Sequence, residues 1–227
     1  MNRREVLKQV PLFANITAKD LNLIAKNTIE RKYPKGSYLF FENEEGNSLY
    51  IVVSGLVKIF KSDQTGRTKT LAYLKEGDFF GEMAMLDEQK RSASASVLED
   101  SVVLILNRSD FQMEILNNPL IALRLMQAIS SRLRSADKQI EDLTFRNLPG
   151  RVASAIIELS KKHGIKTAAG QVKIDLKLTH QELAEMIGTA REVVTSILND
   201  FRKAKCIAIE EKHIIIIDLK ELRSWIT

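Results

Sequence analysis

From Lys32 to about Leu106 the chain alternates short apolar stretches with polar, glycine-bearing turns: Pro34-Lys35-Gly36, Asn43 to Asn47, Ser54-Gly55, Asp63 to Gly66 and Glu76-Gly77-Asp78. Turn signals at such spacing predict short antiparallel strands closing into a roll or barrel. Ser48 to Val53 is β-branched and aromatic, and Leu56-Val57-Lys58-Ile59-Phe60 alternates apolar with polar, as a half-buried strand does. Ahead of the strands, Thr17 is placed to cap a helix running to Asn27, with Leu21, Ile24 and Ala25 on one face that is expected to pack on the roll.

Beyond Pro119 the period changes. Ala122, Met126, Ile129, Leu133, Ala136, Ile140 and Leu143 recur at alternating steps of four and three, the seam of a coiled coil over about three heptads. An ordinary amphipathic helix shares that spacing, but the unbroken alternation favours a homodimer formed through helix 118–146, with small Ala136 allowing close approach. Arg132, Arg134, Asp137 and Lys138 flank the seam. Asn147-Leu148-Pro149-Gly150 is expected to end the helix and mark a hinge.

A further helix is expected from Arg151 to His163, ended by Gly164. Thr179 with Glu182 then has the spacing of a capping box, and Ala184 with Gly188 lets two helices cross closely at a tight turn. Leu183, Ile187, Val194 and Ile197 supply the apolar contact between them, so a helix-turn-helix is predicted. Cys206 to Glu210 and His213 to Asp218 read as strand, turn and strand, the wing of a winged helix. The DNA-facing set is Thr179, His180 and Gln181 at the start of the first helix, Thr189 in the turn, and Arg191, Glu192, Thr195 and Ser196 on the second. Arginine suits the O6 and N7 of guanine and glutamate the N4 of cytosine, although Arg191 and Glu192 would equally pass for a solvated pair outside this context.

With 227 residues there is room for two modest domains of roughly 100–200 residues each. The expected class is α+β: an effector-binding roll over 1–117, a dimerisation helix and hinge over 118–147, and a winged reader over 148–227. One cysteine, Cys206, excludes an intrachain disulfide and a multi-thiolate cluster, and it reads as a small packing residue. His163, His180 and His213 all lie late in the chain, so the roll has no imidazole for haem or zinc, and no metal or cofactor is expected. A formal charge of +5 permits a polyanionic partner without requiring one. No apolar run of about 18 residues is present, and Met1 to Glu5 lacks a signal-peptide core, so a cytoplasmic protein without membrane contact is expected. No nucleophile–base pair or phosphate loop suggests an enzyme.

The most informative chemistry is Gly81-Glu82-Met83-Ala84-Met85-Leu86 followed by Arg91-Ser92. Gly81 lets backbone approach a ligand, Arg91 offers a fork of N–H donors to a phosphate, and Glu82 can accept from a ribose hydroxyl, which together suit a cyclic nucleotide. Taken alone, an arginine and a glutamate at this separation are more often a surface ion pair. Context decides between the two.

With these residues assembled, the chain resembles the Crp/Fnr family of bacterial transcription regulators over nearly its whole length, and most of all its cyclic AMP-binding branch. Pro34-Lys35-Gly36, Gly55, Gly77 to Glu82 and Arg91-Ser92 are similar to that family's cyclic-nucleotide roll, Leu133 to Gly150 to its dimer helix and hinge, and Thr179 to Leu198 to its helix-turn-helix. The resemblance implies that Glu82 holds the ribose 2′-hydroxyl and that Arg91 and Ser92 hold the cyclic phosphate, beside Gly81 and Met83. It also implies apolar walls from Ile59, Leu71 and Leu74, Arg132 close to the ligand, and Ala136 and Asp137 reading the base. Cyclic AMP-binding members carry Thr-Ser where this chain has Ala136-Asp137, and they carry a further arginine where it has Ser196. Alanine cannot bond the exocyclic amine, whereas Asp137 can accept from it. The partners implied are double-stranded DNA bearing an inverted repeat, a second copy of the chain, and RNA polymerase, for which His163 to Gln171 is the candidate contact by family analogy.

Overall fold

The computed structural model describes residues 2–226, so the first residue of the expected roll domain and the last of the expected reader lie outside the described residues. By backbone contacts the chain forms two compact units, Met1–Ser62 with Thr70–Leu133 and Asp63–Lys69 with Arg134–Thr227.

The first unit opens with α1 (Arg3–Gln9), a 3-10 turn (Pro11–Phe13) and α2 (Ala18–Asn27). Thr17 caps α2 as the sequence suggests, its hydroxyl oxygen accepting from Asp20 N–H at 3.2 Å. The strands follow as β1 (Ile29–Tyr33), β2 (Tyr38–Phe40), β3 (Ser48–Ser62), β4 (Thr68–Leu74), β5 (Phe79–Phe80) and β6 (Ser94–Asn107), with α3 (Met83–Leu86) between the last two. They form one six-stranded sheet with the path β1-β6-β3-β4, in which β2 pairs with β6 and β5 with β3. The long β3–β6 ladder shifts register around Ser54 and Leu56, which bends the sheet into the roll. Beyond β6 come α4 (Arg108–Asn117) and α5 (Pro119–Phe145). The core joins Leu7, Phe13 and Ile24 of the N-terminal helices to Leu49, Ile51, Leu104 and Leu106 of the sheet and to Phe111, Ile121 and Leu125 of α4 and α5.

Gly55 lies in the irregular part of this ladder at φ +89°, and a Cβ there would meet the Asp100 carbonyl at 2.5 Å. Both the left-handed backbone and the fixed carbonyl oppose a side chain. Gly55→Ala is expected to destabilise the roll by about 3 kcal/mol, read as a lower urea midpoint for the unfolding transition of that unit.

In the second unit, α6 (Leu148–His163) leads into β7 (Gly164–Lys166), β8 (Val172–Ile174), α7 (His180–Ile187), α8 (Arg191–Lys203), β9 (Ile207–Glu210), β10 (His213–Ile216) and α9 (Leu219–Ser224). The long helix ends at Phe145, just before Asn147-Leu148-Pro149-Gly150, and Asn147 caps α6, its side chain accepting from Gly150 N–H at 2.8 Å, so Leu148-Pro149-Gly150 is the first turn of that helix. Proline is well suited to that first turn because its missing N–H would lack a helical partner in any case. The segment from His163 to Gln171 is likewise structured, since β7 and β8 form a hairpin turned at Gly170, φ +76°, and β8 adds to the wing as β7-β8-β10-β9. The wing turn is made by Glu211 and Lys212, both at positive φ. Cys206 is fully buried with its Sγ–H donating to the Phe201 carbonyl, and burial pushes the thiol pKa up, as a packing role requires.

Candidate functional site

Arg91 and Glu82 do not form a surface pair. Arg91 is 4 % exposed and Glu82 1 %. Gly81 makes their burial possible: its φ of +84° turns the chain from β5 into α3, and a Cβ there would lie 2.6 Å from Arg91 Nη1 and 3.0 Å from the Ser48 carbonyl. The Arg91 guanidinium donates to the Gly81 carbonyl at 2.8 Å and to the Ser48 carbonyl at 3.0 Å, and it stacks 4.3 Å from the Phe40 ring centre and 5.5 Å from that of Tyr50. Tyr50 in turn stacks on Phe80 at 5.2 Å. Desolvation pulls the Arg91 pKa below its usual value, opposed by Tyr50, Glu82 and Glu44, and desolvation raises that of Tyr50.

One oxygen of Glu82, Oε1, accepts from Arg132, which also donates to the Phe79 carbonyl and lies over the Phe79 ring. The other oxygen, Oε2, and Arg91 Nε are both out of solvent without a hydrogen-bond partner. A buried acceptor and a buried charged donor without partners are each costly unless something binds them. Such a pair can hold a hydroxyl-bearing anion. It offers no nucleophile, and no cluster able to hold a metal occurs among the described residues.

The other residues singled out from sequence divide. Ile59 and Leu74 pack at the edge of the apolar cluster around Phe80, Val57 and Phe40. Leu71 and Met83 are exposed, at 38 % and 49 %. Ser92 is exposed beside Met83, with its hydroxyl 3.5 Å from the Met83 sulfur. Ala136 and Asp137 lie on exposed turns of α5. Sequence reasoning missed Phe40, Tyr50 and the Ser48 carbonyl, which come from two strands, and Arg108, which holds the adjoining loop through the Gly46 and Ala84 carbonyls at 3.1 and 2.7 Å. No local spacing joins Phe40 to Tyr50, which lie on different strands.

In the second unit the capping box of α7 is present, and Gly188 ends the helix in the left-handed conformation at φ +76°, its N–H donating to Ala184 at 2.8 Å. Arg151 donates to the Ile187 carbonyl and further satisfies that helix end. Leu183, Ile187, Val194, Ile197, Leu198 and Phe201 are buried between the helices and the wing, while Thr179, Gln181, Arg191, Glu192 and Ser196 are exposed and Thr189 is half-buried. Thr195 departs from the expected free, outward hydroxyl. Its Oγ1 lies 2.9 Å from the Arg191 carbonyl, to which its O–H can donate, and 2.8 Å from His180 Nδ1, with which it shares a hydrogen bond. These two side chains tie α7 to α8 across the turn.

The first unit is thus a roll that buries an arginine and a glutamate with unused bonding capacity, and the second a winged helix-turn-helix with Arg191 and Glu192 exposed. Residues 30–118 match the cyclic nucleotide-binding domain family and residues 150–225 the Crp-like helix-turn-helix domain family. The chain is 36% identical over 193 residues to a cyclic AMP receptor protein of Thermus thermophilus, covering 85% of this chain and 86% of that one. It is 33% identical over 213 residues to an anaerobic regulatory protein of Bacillus subtilis, covering 93% and 89%. Its backbone superposes on a CooA variant from Carboxydothermus hydrogenoformans with a TM-score of 0.80 at 25% identity, covering 100% and 96%. The chain belongs to the Crp/Fnr family, whose members are DNA-binding transcription regulators carrying a cyclic nucleotide-binding domain.

Proposed function

We propose that this protein is a homodimeric, effector-responsive transcription regulator whose effector is a cyclic nucleotide, cyclic AMP first among them. The observation that carries the reading is the burial of Arg91 and Glu82 at either end of the Gly81 to Ser92 segment, with one carboxylate oxygen and one guanidinium N–H left without partners. In this reading Arg91 and Ser92 take the cyclic phosphate, Glu82 Oε2 accepts from the ribose hydroxyl while Oε1 stays with Arg132, and Ala136 and Asp137 choose the base. The name of the Thermus relative supports cyclic AMP. The working division is a roll over 1–117, a dimer helix and hinge over 118–147 and a reader over 148–227, in a cytoplasmic protein. No helix among the described residues is long and apolar enough to cross a membrane.

Calorimetry tests this by titrating cyclic AMP, 5′-AMP and adenosine in turn. Cyclic AMP alone should bind tightly, and equal binding by adenosine would remove the phosphate basin from the reading. A second reading, an effector other than a nucleotide, is favoured by one observation: Arg91 and Glu82 already bond within the protein, to Gly81, Ser48 and Arg132. Silence of all three titrants would select it.

For DNA, the reading is an inverted repeat whose half-sites resemble a G-T-G-A core and lie about one helical turn, roughly 34–36 Å, apart. Arg191 and Glu192 read adjacent pairs, and Ser196 leaves a position less strictly read than an arginine would. Selection from random duplexes should recover a paired G and A, with Arg191→Ala costing about 1–3 kcal/mol and relaxing the guanine. RNA polymerase is the further partner by family analogy, with the β7–β8 hairpin as its candidate surface.

A further inference from the structure

We propose that the cavity between α1, α2 and the start of β1 is a second small-molecule site, one that takes a phosphate monoester carrying hydroxyl groups. The site is a depression wide open to solvent, about 690 Å³, lined by Asn2, Arg3, Arg4, Asn22, Ala25, Lys26 and Glu30. Three cations therefore surround one carboxylate, an excess of two positive charges that a phosphate dianion matches and a single carboxylate does not.

The lining is prepared rather than merely basic. Arg3 is fixed by the bond from Nη1 to the Thr28 carbonyl at 2.8 Å, which leaves the rest of its fork available. Arg4 Nε is out of solvent with no acceptor, and neither the Arg4 guanidinium nor Lys26 Nζ has an ion-pair partner among the described residues. An arginine fork with a nearby ammonium is the usual way to hold a phosphate. Glu30, an acceptor on the same wall, has no cation bonded to it among the described residues and suits a ligand hydroxyl. The site shares no residue with the Gly81–Ser92 basin, so it stands whatever effector the roll binds.

The test is titration of the full chain with glycerol 3-phosphate, with inorganic phosphate, and with sodium chloride at matched ionic strength, followed by calorimetry and by the arginine Nε–Hε resonances. Glycerol 3-phosphate should give a saturable signal tighter than that of inorganic phosphate, and Arg4→Gln and Lys26→Gln should each weaken it by about tenfold or more. Lys220→Gln, on α9, should leave it unchanged. Thermal unfolding shows that each variant is folded. Binding that survives both substitutions at Arg4 and Lys26 would overturn the proposal, as would a response to salt alone of the same size.

Discussion

In the proposed homodimer, glutamate at Leu133 or Ile140 is expected to separate the subunits and, with the same substitution, to abolish tight DNA binding. Along α5 the four–three positions face outward: Leu133 and Ile140 are each 62 % exposed, Met126 55 %, Leu143 51 % and Ile129 38 %. Ile121 and Leu125, off that seam, are buried in the core of the first unit. One helix thus carries two apolar faces, one filled within the first unit and one open from Met126 to Leu143, roughly 26 Å of helix. Burying a leucine or isoleucine contributes about 1.5–3 kcal/mol, and two-fold symmetry counts every position twice. Replacing that contribution by two facing carboxylates should shift dimerisation by about 5 kcal/mol or more, beyond a thousandfold. Sedimentation equilibrium reads the loss directly. A gel shift on a palindrome should fail with it, because a monomer keeps one half-site and loses the second reader. Leu116→Glu, at a 77 % exposed position on α4 outside the seam, should change neither. A Leu133→Glu protein that sediments as a dimer would exclude the seam as the interface.

The seam was readable because a coiled-coil spacing is a property of one continuous helix, and so was the capping box at Thr179 and Glu182, whose partners are three residues apart. Elements defined by distant pairing were harder. β7 and β8 are three residues each and gain their identity from pairing with each other and with the distant β10, which no local pattern announces. In α4, buried Phe111 and Glu114 stand among exposed Met113 and Leu116, which defeats a reading based on apolar periodicity. The candidate site divides along the same line. Gly81, Glu82 and Arg91 were legible as residue types at a suggestive spacing. That Arg91 turns inward to the Ser48 carbonyl and the Phe40 ring depends on strands far back along the chain, and sequence spacing says nothing of it. The His180–Thr195 bond, 15 residues apart, likewise exists only once α7 and α8 cross.

If the roll binds a cyclic nucleotide, Arg91→Leu should reduce affinity by about 10²–10⁴-fold, because two charge-assisted bonds to a phosphate are worth about 3–6 kcal/mol together. Calorimetry with cyclic AMP reads this, but the inward bonds of Arg91 complicate a simple loss. Leucine also strips the Gly81 and Ser48 carbonyls of their donor and removes a cation from the Phe40 and Tyr50 rings, so the unliganded variant should itself unfold more readily. Arg91→Lys separates the two effects. Lysine keeps the charge beside the rings but not the planar fork, so the fold should be largely retained while nucleotide affinity still falls, by about tenfold or more. Glu82→Gln should act differently again: Arg132 loses its charged partner, and the acceptor left for a ribose hydroxyl at Oε2 weakens, so affinity for the cyclic nucleotide drops while its phosphate contact persists. Thermal unfolding with and without nucleotide distinguishes the cases. The wild type should gain stability with ligand concentration, Arg91→Leu should start lower and gain nothing, and Arg91→Lys should start near the wild type and gain little. Should Arg91→Leu bind cyclic AMP as the wild type does, the guanidinium is a structural tie between β3 and the Gly81 turn, and the effector of the roll is not held by its phosphate there.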